Sequence, residues 1–139
     1  MKILICICTY NRNKSLVNCL NSIRNLVSKN KYEINILIVD NTTNFNCKNT
    51  INKYKKRFNL PIILFNEKKR GITNARNLCL KKIRKLKPDY ASFIDDDCTL
   101  NKNWLINIFN ILNNYNADIV TGPQKYVERI SNKKNINFT

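Results

Sequence analysis

Histidine is absent from this sequence of 139 residues, and glycine is nearly so, with two residues. Zinc sites draw mostly on imidazole or on closely spaced cysteine pairs, and the six cysteines include no C-x-x-C pair, so we do not expect a zinc site. Without more glycine the chain has neither the G-x-G-x-x-G turn of dinucleotide sites nor a P-loop. Any phosphate would have to be bound by arginines and by a metal ion on carboxylates.

Long apolar runs are also missing, since none approaches the roughly 20 residues that a membrane-spanning helix needs. The N-terminal segment MKILICICTYNR has too short an apolar run for a signal peptide and no small-residue cleavage site. Most cysteines occupy apolar-periodic positions, which is typical of reduced core thiols in a cytosolic protein. We therefore predict a cytoplasmic location, with association at the inner face of a membrane as the alternative.

Acidic residues are scarce: nine Asp and Glu stand against 25 Lys and Arg, for a net charge of +16. Asn, Lys and Ile are all over-represented along the whole chain, so we interpret most of this charge as compositional bias. A polyanionic partner, such as an anionic membrane surface, nucleic acid or a sugar nucleotide, is the alternative. No RRM, KH, helix-turn-helix or zinc-finger pattern is present, so we predict no nucleic-acid partner.

Strand and helix patterns alternate along the chain. Apolar, β-rich runs predict five strands, at 2–9, 33–39, 61–66, 90–94 and 117–122. Apolar periodicity predicts four helices, at 14–28 with Asn13 as a cap, about 47–58, 72–86 and 101–115. This alternation predicts an α/β fold with a mostly parallel sheet and helices on both faces. We predict one domain over residues 1–139, in which 124–139 form a loose tail or a strand cut short.

Polar side chains follow each predicted strand. The strand ends carry the segments TYNR (9–12), DNT (40–42), NEKKRG (66–71) and DDD (95–97). Ligands of open parallel sheets bind outside the carboxyl ends of the strands. Three adjacent acids repel one another unless a metal ion, a shared proton, or a phosphate-bearing ligand with its metal lies among them. The sequence therefore predicts a ligand site at this edge of the sheet.

The segments CICTYNR, ILIVDN, NEKKRGITNARN and FIDDDC, in this order and spacing, resemble the nucleotide-sugar-binding half of family-two glycosyltransferases with the GT-A fold. The resemblance covers nearly the whole chain. It implies a nucleotide sugar, most simply a UDP-sugar, bound with Mn²⁺ or Mg²⁺. It also implies sugar transfer to an acceptor hydroxyl of a glycan or lipid, in cell-surface polysaccharide or glycolipid synthesis.

The same resemblance implies a role for eleven residues. The nucleotide sugar would be bound by Thr9, Tyr10, Asn11, Arg12, Asp40, Arg70, Gly71, Arg76, Asp95 and Asp96. Residues 9–11 would line the base pocket with Arg12 beside them, and Asp40 would accept a hydrogen bond from the uracil or the ribose. Asp95 would face the ribose and Asp97 the metal, which neutralises the departing nucleoside diphosphate. Apart from the resemblance, Asp96 could simply face solvent. Asp40 alone could equally be a turn residue, and the arginines a solvated helix face.

One part of the family pattern is missing. The carboxylate that deprotonates the acceptor belongs to a following half, and here Glu128 is a weak candidate without the matching motif. We therefore expect a truncated product, a donor-binding module, or half of a split protein whose other half is a separate chain. Little sugar transfer by this chain alone is expected.

Two other classes compete with this interpretation. FIDDDCTL also fits the hhhDxDx[TV] pattern of haloacid-dehalogenase-type phosphatases, with Asp95 as nucleophile and Asp97 as acid/base. That reading leaves the ninety upstream residues unexplained. The third interpretation is a non-enzymatic basic binding module, and only the high net positive charge supports it.

Overall fold

Four parallel strands form one sheet in the order β3-β2-β1-β4 in the computed structural model, which describes residues 1–27 and 31–123. The strands are β1 (Lys2–Thr9), β2 (Glu33–Asp40), β3 (Ile62–Asn66) and β4 (Tyr90–Asp95). The helices are α1 (Asn13–Arg24), α2 (Lys48–Phe58), α3 (Ile72–Leu86) and α4 (Trp104–Tyr115). The predicted α/β class with a parallel sheet is confirmed.

Helices cover both faces of the sheet, as predicted, but unequally. Successive residues of a strand point to opposite faces, so β1 contributes Ile3, Ile5 and Ile7 to one core and Leu4 and Cys6 to the other. The larger core packs against α1, α2 and α4, and the smaller one against Ala75 and Cys79 of α3. Burial on both faces explains why β1 and β2 read as continuous apolar runs.

The strand register aligns the polar strand ends. Thr9 at the end of β1 lies opposite Asp40 of β2, and Asp40 lies opposite Asn66 of β3. On the other side of β1, Cys8 lies opposite Asp95 of β4. The four polar segments therefore meet at one edge of the sheet.

Residues 117–122 do not form the predicted fifth strand. The chain leaves α4 through Asn116, which has a left-handed φ of 46°, and Ile119 then lies 89% exposed. No described residue pairs with the free side of β4. A β-rich pattern gives only a propensity, and a strand also needs a neighbour to bond. The predicted tail at 124–139 lies outside the described residues.

The first helix is shorter than predicted. It ends at Arg24, and the chain then turns so that Val27 N–H donates to the Lys102 carbonyl over 2.8 Å. Asn13 is the first residue of the helix instead of its cap, and Arg12 occupies the cap position without a side-chain capping bond. Among the described helices none is long and apolar enough to cross a membrane.

All six cysteines are free thiols, four of them buried. Burial raises the pKa of Cys19 to about 12. The hydrogen bond with the Cys6 thiol, together with burial, raises the pKa of Cys79 to about 12 as well. The thiolate is the reactive form, so these two side chains stay protonated and inert at neutral pH.

We expect native Cys19 to be alkylated slowly at neutral pH, and its rate to keep rising as pH increases from about 9 toward 12. In the unfolded chain the rate should level off near the ordinary thiol pKa of about 8.5. Mass spectrometry of iodoacetamide-treated protein, with and without denaturant, measures both profiles. A native profile that levels off at the ordinary pKa would contradict the buried environment.

Candidate functional site

A cavity of about 330 Å³ opens at the carboxyl ends of the strands. Its walls are formed by Cys8, Thr9, Tyr10, Arg12, Asn41, Arg70, Gly71, Ile72, Asp95, Asp96 and Asp97. Eight of these eleven are residues that the sequence placed in the site. Asn11, Asp40 and Arg76, also predicted, do not line the cavity, whereas Cys8, Asn41 and Ile72 were not predicted.

The three adjacent aspartates differ sharply in exposure. The side chains of Asp95 and Asp97 are 57% and 52% exposed, whereas that of Asp96 is 6% exposed. Asp96 therefore does not face solvent as predicted. The turn that follows β4 directs it inward, where Thr9 Oγ1 donates to its Oδ2 over 2.7 Å. The outer two carboxylates remain available to a ligand.

Two arginines balance the acidic triplet. Arg12 Nη1 lies 3.2 Å from Asp96 Oδ1 and 2.9 Å from Asp97 Oδ2. Arg76 Nη2 lies 3.3 Å from Asp95 Oδ1. Arg12, which was predicted beside the base pocket, lies on the wall of the same cavity as Tyr10 and contacts these carboxylates. The triplet is thus tolerated in part because the chain supplies its own counter-charges.

Asp40 lies beneath the cavity and not in its wall. Its side chain is fully buried, and Oδ1 accepts hydrogen bonds from the Thr42 N–H and hydroxyl, at 2.9 and 2.7 Å. Oδ2 accepts from the Cys47 N–H at 2.7 Å. Asp40 therefore fixes the loop between β2 and α2, as the turn interpretation requires, and its contact with uracil or ribose stays a prediction.

Asn11 also supports the loops and not the cavity wall. It has a left-handed φ of 54°, which turns the chain sharply between β1 and α1. Its Oδ1 accepts a hydrogen bond from Asn46 Nδ2 at 2.9 Å. The pair connects the loop after β1 to the loop after β2.

Asn41, which the sequence analysis missed, fixes the loop between β3 and α3. Its Nδ2 donates to the Glu67 and Lys69 carbonyls at 2.9 and 2.8 Å, and its Oδ1 accepts from the Gly71 N–H at 2.8 Å. Gly71 has a φ of +128°, a conformation that side chains rarely adopt. In the sequence Asn41 is only an amide side chain at the end of a strand, and asparagine is common in turns there without any functional role.

The fixed loop places Arg70 over Tyr10 at the cavity mouth. The guanidinium carbon lies 5.1 Å from the centroid of the tyrosine ring, within the range of a cation–π contact. Tyr10 as a whole is 41% exposed. An exposed ring beside a guanidinium can stack on a base and bind phosphate.

The carboxylates fit a hard divalent metal whose coordination a ligand completes. Within residues 1–27 and 31–123, no three His, Cys, Asp or Glu side chains are grouped so as to hold a metal by themselves. Mg²⁺ is usually bound through one or two carboxylates plus substrate phosphates and water. Asp97, with Asp95 nearby, is a donor set of that kind.

Several solved glycosyltransferase structures share this fold. S. aureus TarS 1–349 in complex with UDP has a TM-score of 0.69 at 20% identity, over 89% of this chain and 38% of that one. The mannosyltransferase PcManGT from Pyrobaculum calidifontis, in complex with GDP-Man and Mn²⁺, has a TM-score of 0.68 at 18% identity, over 79% of this chain and 32% of that one. The fold is thus that of the GT-A glycosyltransferases.

Sequence comparison identifies the family. An uncharacterized glycosyltransferase of Acanthamoeba polyphaga mimivirus is 28% identical over 109 residues, which are 75% of this chain and 41% of that protein. The glycosyl transferase family 2 model matches residues 4–137. The chain belongs to glycosyltransferase family 2, which confirms the resemblance and argues against the phosphatase interpretation. It spans about two fifths of the length of the mimivirus relative.

Proposed function

We propose that the cavity binds a nucleoside diphosphate sugar, most simply a UDP-sugar, together with Mn²⁺ or Mg²⁺, for transfer of the sugar to an acceptor hydroxyl. The observation that carries this proposal is the meeting, around one cavity, of an exposed aromatic ring, an arginine and two exposed carboxylates. These groups correspond to the base, the phosphates and the metal of one ligand.

The base and the diphosphate would contact two neighbouring side chains. Tyr10 offers its exposed ring to the base, and Arg70 offers its guanidinium to phosphate oxygens. The helix α3 begins at Ile72 on the cavity wall, so the positive end of a 15-residue helix adds to the attraction for a diphosphate. This helix end would bind the diphosphate, as a glycine-rich loop does in other nucleotide sites.

Asp97 would hold the metal, with Asp95 on the ribose side. A metal bound there would stabilise the negative charge that develops on the leaving nucleoside diphosphate. The chain's own residues bind and orient the donor: Arg76 fixes Asp95, and the buried Asp96 fixes the turn on which Asp97 lies.

The comparisons support the ligand class. TarS has been solved with UDP and with UDP-GlcNAc, and PcManGT with GDP-Man and Mn²⁺. Both uridine and guanosine donors therefore occur on this fold. An acceptor glycan or lipid, a role in polysaccharide or glycolipid synthesis, contact with an anionic membrane and a partner chain with the acceptor half stay predictions. Glu128 lies outside the described residues.

We expect UDP and UDP-GlcNAc with Mn²⁺ to raise the melting temperature, because a ligand that binds the folded state stabilises it. Arg70→Ala should weaken UDP binding by roughly 10-fold or more, the loss expected for a hydrogen bond to a charged group. Arg84→Ala is the matched control, since Arg84 is exposed on α3 and does not line the cavity. Calorimetry with UDP, UDP-GlcNAc and GDP-mannose compares the donors. A chain that binds none of the three would refute the proposed function.

A further inference from the structure

Arg12 contacts two carboxylates, one buried and one exposed to solvent. One nitrogen, Nη1, lies 3.2 Å from Asp96 Oδ1 and 2.9 Å from Asp97 Oδ2. Asp97 is half exposed on the cavity wall, and the arginine itself is 56% exposed. The contact with Asp97 is thus the shorter of the two and the one that solvent and ligands can reach.

Asp96 keeps Arg12 at the site whatever happens at Asp97. This carboxylate is buried, its Oδ2 is bonded to Thr9 Oγ1, and Arg12 is the cation in contact with its Oδ1. A buried carboxylate without a positive partner is costly, so the contact between Arg12 and Asp96 is the one that folding retains. Asp96 acts as an anchor and Asp97 as the exchangeable partner.

A divalent metal on Asp97 would bind the carboxylate whose Oδ2 Arg12 now contacts. Mg²⁺ requires carboxylate oxygens at about 2.0–2.1 Å in near-octahedral geometry. A guanidinium nitrogen 2.9 Å from that oxygen occupies part of the coordination space and repels the arriving cation. The metal and Arg12 therefore compete for the Asp97 carboxylate.

We propose that Arg12 is a tethered counter-cation which holds Asp97 in the absence of ligand and yields it to the metal when the nucleotide arrives. The inference rests on the proposed function of the cavity. A nucleoside diphosphate brings the negative charge that lets both cations stay: the metal on Asp97, and Arg12 on Asp96 at the cavity wall. Metal and nucleotide binding are then coupled, and Arg12 is a positioning residue that sets the coupling.

The expected effect is a gain, because removal of the polar contact between Arg12 and Asp97 should strengthen metal binding. In Arg12→Gln, Mn²⁺ alone should bind roughly two- to fivefold tighter than in the unmodified chain, the range expected for a half-exposed ion pair. The factor by which UDP tightens Mn²⁺ should fall by the same amount. Electron paramagnetic resonance of free Mn²⁺, with and without UDP, measures both quantities without any assay of activity.

Two companion variants separate competition from a structural role. Arg12→Lys keeps a cation at the site and should keep the weak binding of Mn²⁺ alone. The double variant Arg12→Gln/Asp96→Asn removes the buried charge together with its partner, so that the fold is retained if the single variant is unstable. It should bind Mn²⁺ as tightly as Arg12→Gln does.

The outcomes distinguish this inference from the proposed function. If Mn²⁺ binding depends on UDP but Arg12→Gln and the double variant leave the affinity for Mn²⁺ alone unchanged or weaken it, the counter-cation role alone is overturned. Failure of every variant to bind Mn²⁺, with or without UDP, would overturn the proposed function and this inference together. Tighter binding of Mn²⁺ alone in Arg12→Gln and in the double variant, but not in Arg12→Lys, supports the proposed exchange of Arg12 for the metal on Asp97.

Discussion

Replacing Asp97 by Asn should abolish the dependence of UDP binding on Mn²⁺. Asp97 is the exposed carboxylate at the end of the triplet, and it lies on the cavity wall where a metal could bridge protein and diphosphate. Mutation of a residue that only supports a metal ligand typically lowers metal affinity by about 10–100-fold. Loss of the ligand itself should therefore lower metal affinity by at least about 100-fold. Calorimetric titration of UDP with Mn²⁺ and with EDTA measures the effect.

The matched control is Asp118→Asn, which removes an exposed carboxylate outside the cavity. It should leave the Mn²⁺ dependence intact. Equal UDP affinity in Mn²⁺ and in EDTA for the unmodified chain would show that Asp97 binds no metal. Retention of the full dependence in Asp97→Asn would move the metal to another carboxylate, with Asp95 next in line.

The largest effect on stability should come from Asp40→Ala. Three donors on Thr42 and Cys47 lose their acceptor in the interior, and each unpaired buried donor costs about 1–3 kcal/mol. We expect a loss of about 3 kcal/mol or more in the free energy of unfolding. For a domain of this size that corresponds to a melting temperature lower by roughly 10 °C. Denaturant and thermal unfolding monitored by circular dichroism give both values.

Asp40→Asn separates support of the fold from contact with the nucleotide. It keeps one acceptor oxygen, so part of the stability should return, and the folded variant should bind UDP with nearly unchanged affinity. Asn41→Ala is the comparison, because Asn41 lines the cavity and fixes the loop that carries Arg70. A 10- to 100-fold loss of UDP affinity in folded Asp40→Asn would restore the direct contact that the sequence suggested.

The sequence by itself determined the local elements and their common edge. The continuous apolar runs of β1 and β2 predicted central strands, since a strand buried on both faces needs apolar residues at every position. The period of α3 predicted its bounds as observed, 72–86. Because parallel strands end at the same edge, the polar segments after them had to meet. Eight of the residues that the family resemblance implied line the cavity at this edge.

Only the tertiary structure decided which of those side chains touch. Arg12 and Asp97 are 85 residues apart in sequence, and they meet because β4 pairs with β1. The spacing of apolar residues predicts which face of its strand or helix a residue occupies, but it does not predict which strands pair with each other. The same limit explains why Asp96 was predicted to face solvent although it is buried, and why 117–122 has no partner strand among residues 1–27 and 31–123. Pairing and burial are properties of the assembled sheet, set by the packing of elements distant in sequence.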